Sequence, residues 1–76
     1  MLVTEQENIW ITARIGLALR TARENKNLTQ AELANQIGAS QPQIDHYERG
    51  EHDMPLSRLF DIAAALGITA ADLLAD

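Results

Sequence analysis

The sequence predicts an all-α fold of five helices, and three observations carry that reading. Apolar residues recur at intervals of three and four, without strict apolar–polar alternation. At four expected helix starts Ser or Thr stands three residues before an acid or glutamine: Thr4 with Glu7, Thr29 with Glu32, Ser40 with Gln43 and, more loosely, Thr69 with Asp72. In such a capping box each partner satisfies a backbone donor that the first helical turn leaves orphaned. Glycine follows the last apolar position of three segments, at Gly38, Gly50 and Gly67, where a left-handed residue closes a helix.

These signals place helices near 5–25, 30–37, 41–48, 56–66 and 70–75. Helix 1 carries Ile11, Ile15, Leu19 and Ala22 on one face and closes at Asn25-Lys26-Asn27. Helix 2 presents Leu33, Ala34 and Ile37, and helix 3 presents Ile44 and Tyr47. Helix 4 starts after Pro55, since proline is tolerated in a first turn, and lines up Leu59, Ile62, Ala63 and Leu66. Leu28, Ile68 and Leu73 are expected to plug the joints. Trp10 and Leu17 fall off the helix 1 stripe, and Leu56, Phe60 and Leu74 fall off the inward stripe further on.

Composition narrows the function. Seventy-six residues make one small domain (1–76), with 1–8 as an N-terminal extension. A chain of this size buries only about 60% of its unfolded surface, so it needs an efficient core or a partner chain. There is no cysteine, hence no disulfide framework or thiolate metal site. The Glu51-His52-Asp53 run has the spacing of solvated loop charge rather than of a metal site. No segment has the length of a membrane span and the N-terminus lacks a basic, apolar leader, so a cytoplasmic, soluble chain is expected. Asp45 and His46 are helix neighbours whose side chains diverge, so they form no relay. With no glycine-rich phosphate loop either, neither an enzyme nor a cofactor is expected. Six Lys and Arg stand against eleven Asp and Glu, a balance that argues at first sight against nucleic acid.

The stretch Gln30 to Arg49 points the other way. Two helices of about two turns are joined only by Gly38-Ala39-Ser40, which forces a steep crossing, as in a helix-turn-helix. Ala34 must be small for helix 3 to approach, and Gly38 supplies a positive φ without a steric penalty.

The run LTQAELANQIGASQPQIDHYERG resembles the helix-turn-helix of the phage repressor/Cro group, the XRE family. The likeness extends upstream through Leu19-Arg20-x-x-Arg23 and downstream through Leu59-x-x-Ile62-Ala63-x-Ala65-Leu66-Gly67-Ile68, covering roughly 15–75. It implies a lambda-repressor-like domain whose helix 3 enters the DNA major groove as part of a homodimer on a palindromic operator. By resemblance, Ser40, Gln41, Pro42 and His46 face bases, with Gln43 at the edge. Gln41 has the donor and acceptor to pair bidentately with adenine. Pro42 departs from the polar residue that family members often carry and offers only apolar contact. Gln30, at a helix N-terminus, and Arg49 match phosphate-contacting positions, with Lys26 and Arg20 as weaker ones. Arg23 and Glu48 match a structural ion pair. The family commonly dimerises through C-terminal helices, which points to Leu56, Phe60 and Leu74; Trp10 and Leu17 are further candidates. The alternative is a protein-binding regulator, such as an antitoxin or anti-repressor, whose main partner is another protein; a toxin or RNA polymerase is the protein partner to expect.

The charge is unevenly spread. Between positions 11 and 30, Arg14, Arg20, Arg23 and Lys26 stand against Glu24 alone. Most acids lie in the first ten residues and after position 50. Weak non-specific DNA binding and a shallow salt dependence are therefore expected, rather than no binding. Asp45 remains an awkward negative charge on the recognition helix.

Overall fold

The computed structural model describes the backbone of residues 5–51 and 53–74, and side chains from position 10 onward within those ranges. Five helices run in order: α1 Glu5–Asn25, α2 Gln30–Ile37, α3 Gln41–Arg49, α4 Leu56–Leu66 and α5 Ala70–Leu74. Among the described residues there is no strand, and no helix is long and apolar enough to cross a membrane. α3 runs one residue beyond expectation, to Arg49. The Thr4–Glu7 box and the last expected residue of α5 lie outside the described residues.

The local signals act as physical caps. Thr29 Oγ1 accepts from the Glu32 N–H at 3.0 Å, and the Thr29 N–H donates to Glu32 Oε1 at 2.9 Å. Leu28 and Leu33 flank that cap at staple positions, Leu33 in the core and Leu28 packed against it. Thr69 and Asp72 close the same reciprocal pair at 3.1 and 2.9 Å, a full box rather than a loose one. The Ser40–Gln43 box forms only by half. Ser40 Oγ accepts from the Gln43 N–H at 3.3 Å, while the Gln43 side chain projects as an exposed group. Gly38, at φ 69°, has open space where a Cβ would stand, so glycine is needed there for its backbone conformation alone. Asn27 takes the same left-handed role at φ 58° after α1.

The core is continuous: Leu19, Leu33, Ala34, Ile44, Tyr47, Leu59, Ile62, Ala63, Leu66 and Leu73 are buried. Each fully buried Leu or Ile contributes about 1.5–3 kcal/mol. α1 packs on α3 and α5, and α2 packs on α3 and α4. One expectation fails. Ile11 is 48% exposed, because α1 meets the end of α3 through Thr12, Ala13 and Gly16 rather than through the Ile11 face.

Candidate nucleic-acid interface

The nine residues of α3 divide by helical period. Ile44 and Tyr47 point into the core, while Gln41, Pro42, Gln43 and Arg49 are exposed. The exposed group is therefore displayed by a helix anchored along its opposite face.

The anchoring is tightest at the C-terminal end. A Cβ on Gly16 would lie 2.5 Å from the Tyr47 carbonyl oxygen and 2.6 Å from that of Glu48. A Cβ on Gly50 would lie 2.8 Å from Ala13 Cα. α1 and the end of α3 thus touch backbone to backbone, and Thr12 Oγ1 donates to the Gly50 carbonyl at 3.1 Å.

Beside this seam, Arg23 and Glu48 form a two-pronged pair. Arg23 Nε donates to Glu48 Oε2 at 2.6 Å, and an Nη donates to Oε1 at 3.1 Å. The other Nη donates to the Leu28 carbonyl at 2.7 Å, so one guanidinium joins α1, the α1–α2 joint and α3. The Glu48 side chain is only 4% exposed. The Arg23 pKa is pushed further up, chiefly by the hydrogen bond to Glu48, against the opposing effect of burial.

Gln30, first residue of α2, is a hub. Its Nε2 donates to Asp45 Oδ1 at 3.2 Å and to Glu48 Oε1 at 3.0 Å. Its Oε1 accepts from Gln41 Nε2 at 2.6 Å. The first residues of α2 and α3 are thereby linked, and Gln41 is aimed by Gln30. Arg49 Nε sits 3.0 Å from Asp45 Oδ2, and Arg20 Nε sits 3.5 Å from Glu24 Oε2. Arg20, Arg23, Gln30, Asp45, Glu48 and Arg49 line one small polar cavity. Each arginine there has a carboxylate partner.

The remaining positions expected at bases gather elsewhere on α3. Ser40, Pro42, Gln43 and His46 line one shallow groove with Tyr47, Asp53 and Pro55. His46 Nδ1 lies 2.9 Å from Glu51 Oε1. Lys26 stands apart from both groups: its Nζ lies beside Gly67, 3.0 Å from where a Cβ would be, and there favours the negative end of α4. His52 lies outside the described residues, and among those described no group of side chains has metal-ligand geometry.

Trp10, Leu17, Leu56, Phe60 and Leu74 are all more than half exposed. The structure brings Leu56 and Leu74 together with Ile11 around an apolar groove whose floor includes Ile15, Tyr47 and Leu59. Phe60 continues the Leu56 face one turn along α4.

Three participants escaped the sequence reading. Gly16 was legible as an isolated glycine inside a helical pattern, a signal of close packing. The Asp45–Arg49 pair has the (i, i+4) spacing of helix ion pairs. Arg58, which donates to the Ile37 carbonyl at 2.9 Å and so ties α4 to the end of α2, carried no sequence signal.

A family model described as helix-turn-helix matches residues 19–73. An uncharacterized transcriptional regulator in the ATPase CF(0) region of Rhodospirillum rubrum is 43% identical over 58 residues, 76% of this chain and 54% of that protein. A hypothetical transcription factor of Neisseria meningitidis is 36% identical over 64 residues, 84% of this chain and 60% of that protein. The chain thus spans little more than half the length of these relatives. The crystal structure of the Neisseria factor superposes with a TM-score of 0.82 at 35% identity, covering 99% of this chain and 83% of that one. The restriction-modification controller protein C.AhdI of Aeromonas hydrophila gives 0.79 at 31% identity, covering 82% and 94%.

Proposed function

The chain belongs to the helix-turn-helix family, and from that premise we propose that it is a cytoplasmic DNA-binding transcriptional regulator, not an enzyme. It acts as a homodimer on a short palindromic operator, with α3 of each copy in the major groove. The observation that carries this reading is the asymmetry of α3: a row of exposed polar side chains at its start, on a helix locked at its end. Gln41, aimed by Gln30, pairs with a base edge; Ser40, Gln43 and His46 read neighbouring positions, and Pro42 offers apolar contact. Gln30 and Arg49 meet backbone phosphates, with Arg20 at the margin; Lys26, seated at the end of α4, contributes least.

The second copy covers the apolar face of Leu56, Phe60 and Leu74, with Trp10 and Leu17 extending it. A two-fold dimer sets half-sites about 34 Å apart. Occupancy of the operator then represses by blocking polymerase or activates by touching it.

Selection from a random duplex pool followed by mobility shifts tests the reading. A palindrome is expected, and Gln41→Ala should lose about 1–3 kcal/mol of discrimination at one base position. Equal affinity for every duplex overturns sequence-specific binding. The exposed apolar groove also favours a second reading, a regulator whose main partner is another protein such as a toxin. Absence of any shift at low salt, together with a stoichiometric protein complex, decides for that.

A further inference from the structure

The acid on the recognition helix has a place in this arrangement. Asp45 presents both carboxylate oxygens to donors from two different helices. Oδ1 accepts from Gln30 Nε2 at 3.2 Å, and Oδ2 pairs with Arg49 Nε at 3.0 Å. An amide N–H and a guanidinium N–H converging on two oxygens of one anion is also the donor set that a phosphodiester takes. The same polar cavity is lined by Arg20 and Arg23, but these hold Glu24 and Glu48. Glu48 is buried and doubly bonded to Arg23, so it is fixed. Asp45 is different. Its partner Arg49 is 64% exposed, and an exposed ion pair of this kind is worth little.

We propose that the Asp45 carboxylate occupies a seat for a DNA backbone phosphate between Gln30 and Arg49, and that binding exchanges the carboxylate for a phosphodiester oxygen. The inference rests on the DNA-binding reading and deepens it. The protein carries its own phosphate substitute, which orients Arg49 and, together with Glu48 and Gln41, orients Gln30 when DNA is absent. It also taxes every duplex alike, because a backbone phosphate must displace it whatever the sequence. Non-specific complexes, with few other contacts, are weakened below useful occupancy, whereas a specific complex retains its base contacts. The exchange leaves Asp45 beside the phosphate unless its side chain turns toward solvent, which its partial exposure permits.

The test compares Asp45→Asn with the wild type. The asparagine keeps an oxygen for Gln30 but no longer holds Arg49 by charge. Asp61→Asn, an exposed carboxylate of α4 outside this cavity, controls for the change in net charge. Affinity for the selected duplex and for an unrelated one is measured against salt. Asp45→Asn is expected to tighten both by roughly threefold to tenfold and to steepen the salt slope by about one phosphate contact, while Asp61→Asn changes both far less. Equal effects of the two substitutions, or weaker binding by Asp45→Asn, overturn the proposal. Titration with inorganic phosphate, followed by the NMR signals of the Gln30 side-chain amide and Arg49 Nε, is independent of DNA. These signals should move further in Asp45→Asn than in the wild type, and equal movement overturns the seat. If no duplex binds but the phosphate response appears, the DNA reading fails and the seat survives.

Discussion

The two ends of α3 are held by different physics. At the C-terminal end, Glu48 is buried against Arg23, and the Tyr47 and Glu48 carbonyls press on Gly16. At the N-terminal end, Gln41, Pro42 and Gln43 are exposed beside the buried Ile44, and the polar ties there are a half-formed cap and the Gln30–Gln41 bond. The difference teaches how a small domain presents a row of exposed side chains on an anchored helix. The closest backbone contact lies where the helix meets α1, while at the other end Ile44 anchors the helix and leaves the neighbouring polar side chains at the surface. An exposed polar side chain costs little in stability, and a buried ion pair makes its whole neighbourhood unforgiving.

Substitutions break this comparison in a graded way. The largest expected effect is Glu48→Ala, which strands the buried Arg23 guanidinium and removes a partner of Gln30. A loss of about 3–5 kcal/mol is expected in denaturant unfolding, enough to consume much of the stability of a small domain. A loss under 1 kcal/mol would mean that Arg23 finds water or another acceptor. Gly16→Ala comes next. Its methyl meets backbone oxygens that cannot swing aside, so about 1–3 kcal/mol is expected, read as a fall in thermal midpoint. At the open end, Gln41→Ala should change stability by no more than about 0.5 kcal/mol. If it destabilises as much as Gly16→Ala, the two ends are not differently held.

The smallest effect concerns the caps. The Glu32 and Asp72 carboxyls are held below their ordinary pKa, first by the backbone N–H of Thr29 and of Thr69, then by those threonines' side chains. A folded pKa below the unfolded one gives stability that is complete above the unfolded value and lost as pH falls through the folded one. Thermal midpoints should therefore drop on acidification through the carboxylate range. Glu32→Gln should flatten part of that drop while leaving the α1–α3 seam untouched. An unchanged pH profile in that variant would show that the cap adds nothing.

Much of the fold was legible because its signals are local. Capping pairs and closing glycines act over four or five residues, so Thr29–Glu32 and Gly38 could be read directly. The apolar stripes named Leu19, Leu33, Ile44 and Ile62 for the same reason: helical period decides which side chains share a face. Ile11 shows where that reasoning stops. Its spacing matches the stripe, but α1 meets the end of α3 through the adjoining face of Thr12, Ala13 and Gly16, and burial depends on what lies opposite. Arg23 and Glu48 were paired by resemblance alone, since 25 positions separate them. At the site, the positions expected to face DNA fell into two groups and one outlier. Gln30, Gln41 and Arg49 share a polar network with Arg20 at the edge of its cavity, and Ser40, Pro42, Gln43 and His46 share a groove. Lys26 turned to the end of α4, because a flexible cation settles at whichever partial charge the packing brings near.

By itself, then, the sequence determined five helices, the Thr29 and Thr69 caps and most of the positions that turn inward, since these depend on neighbours within a turn or two. Only the tertiary structure decided that Gly16 is a contact point and that Gln30 aims Gln41. It also decided that Asp45 stands between Gln30 and Arg49. Each of these depends on two helices meeting at a distance and an angle, and that geometry comes from packing the whole chain.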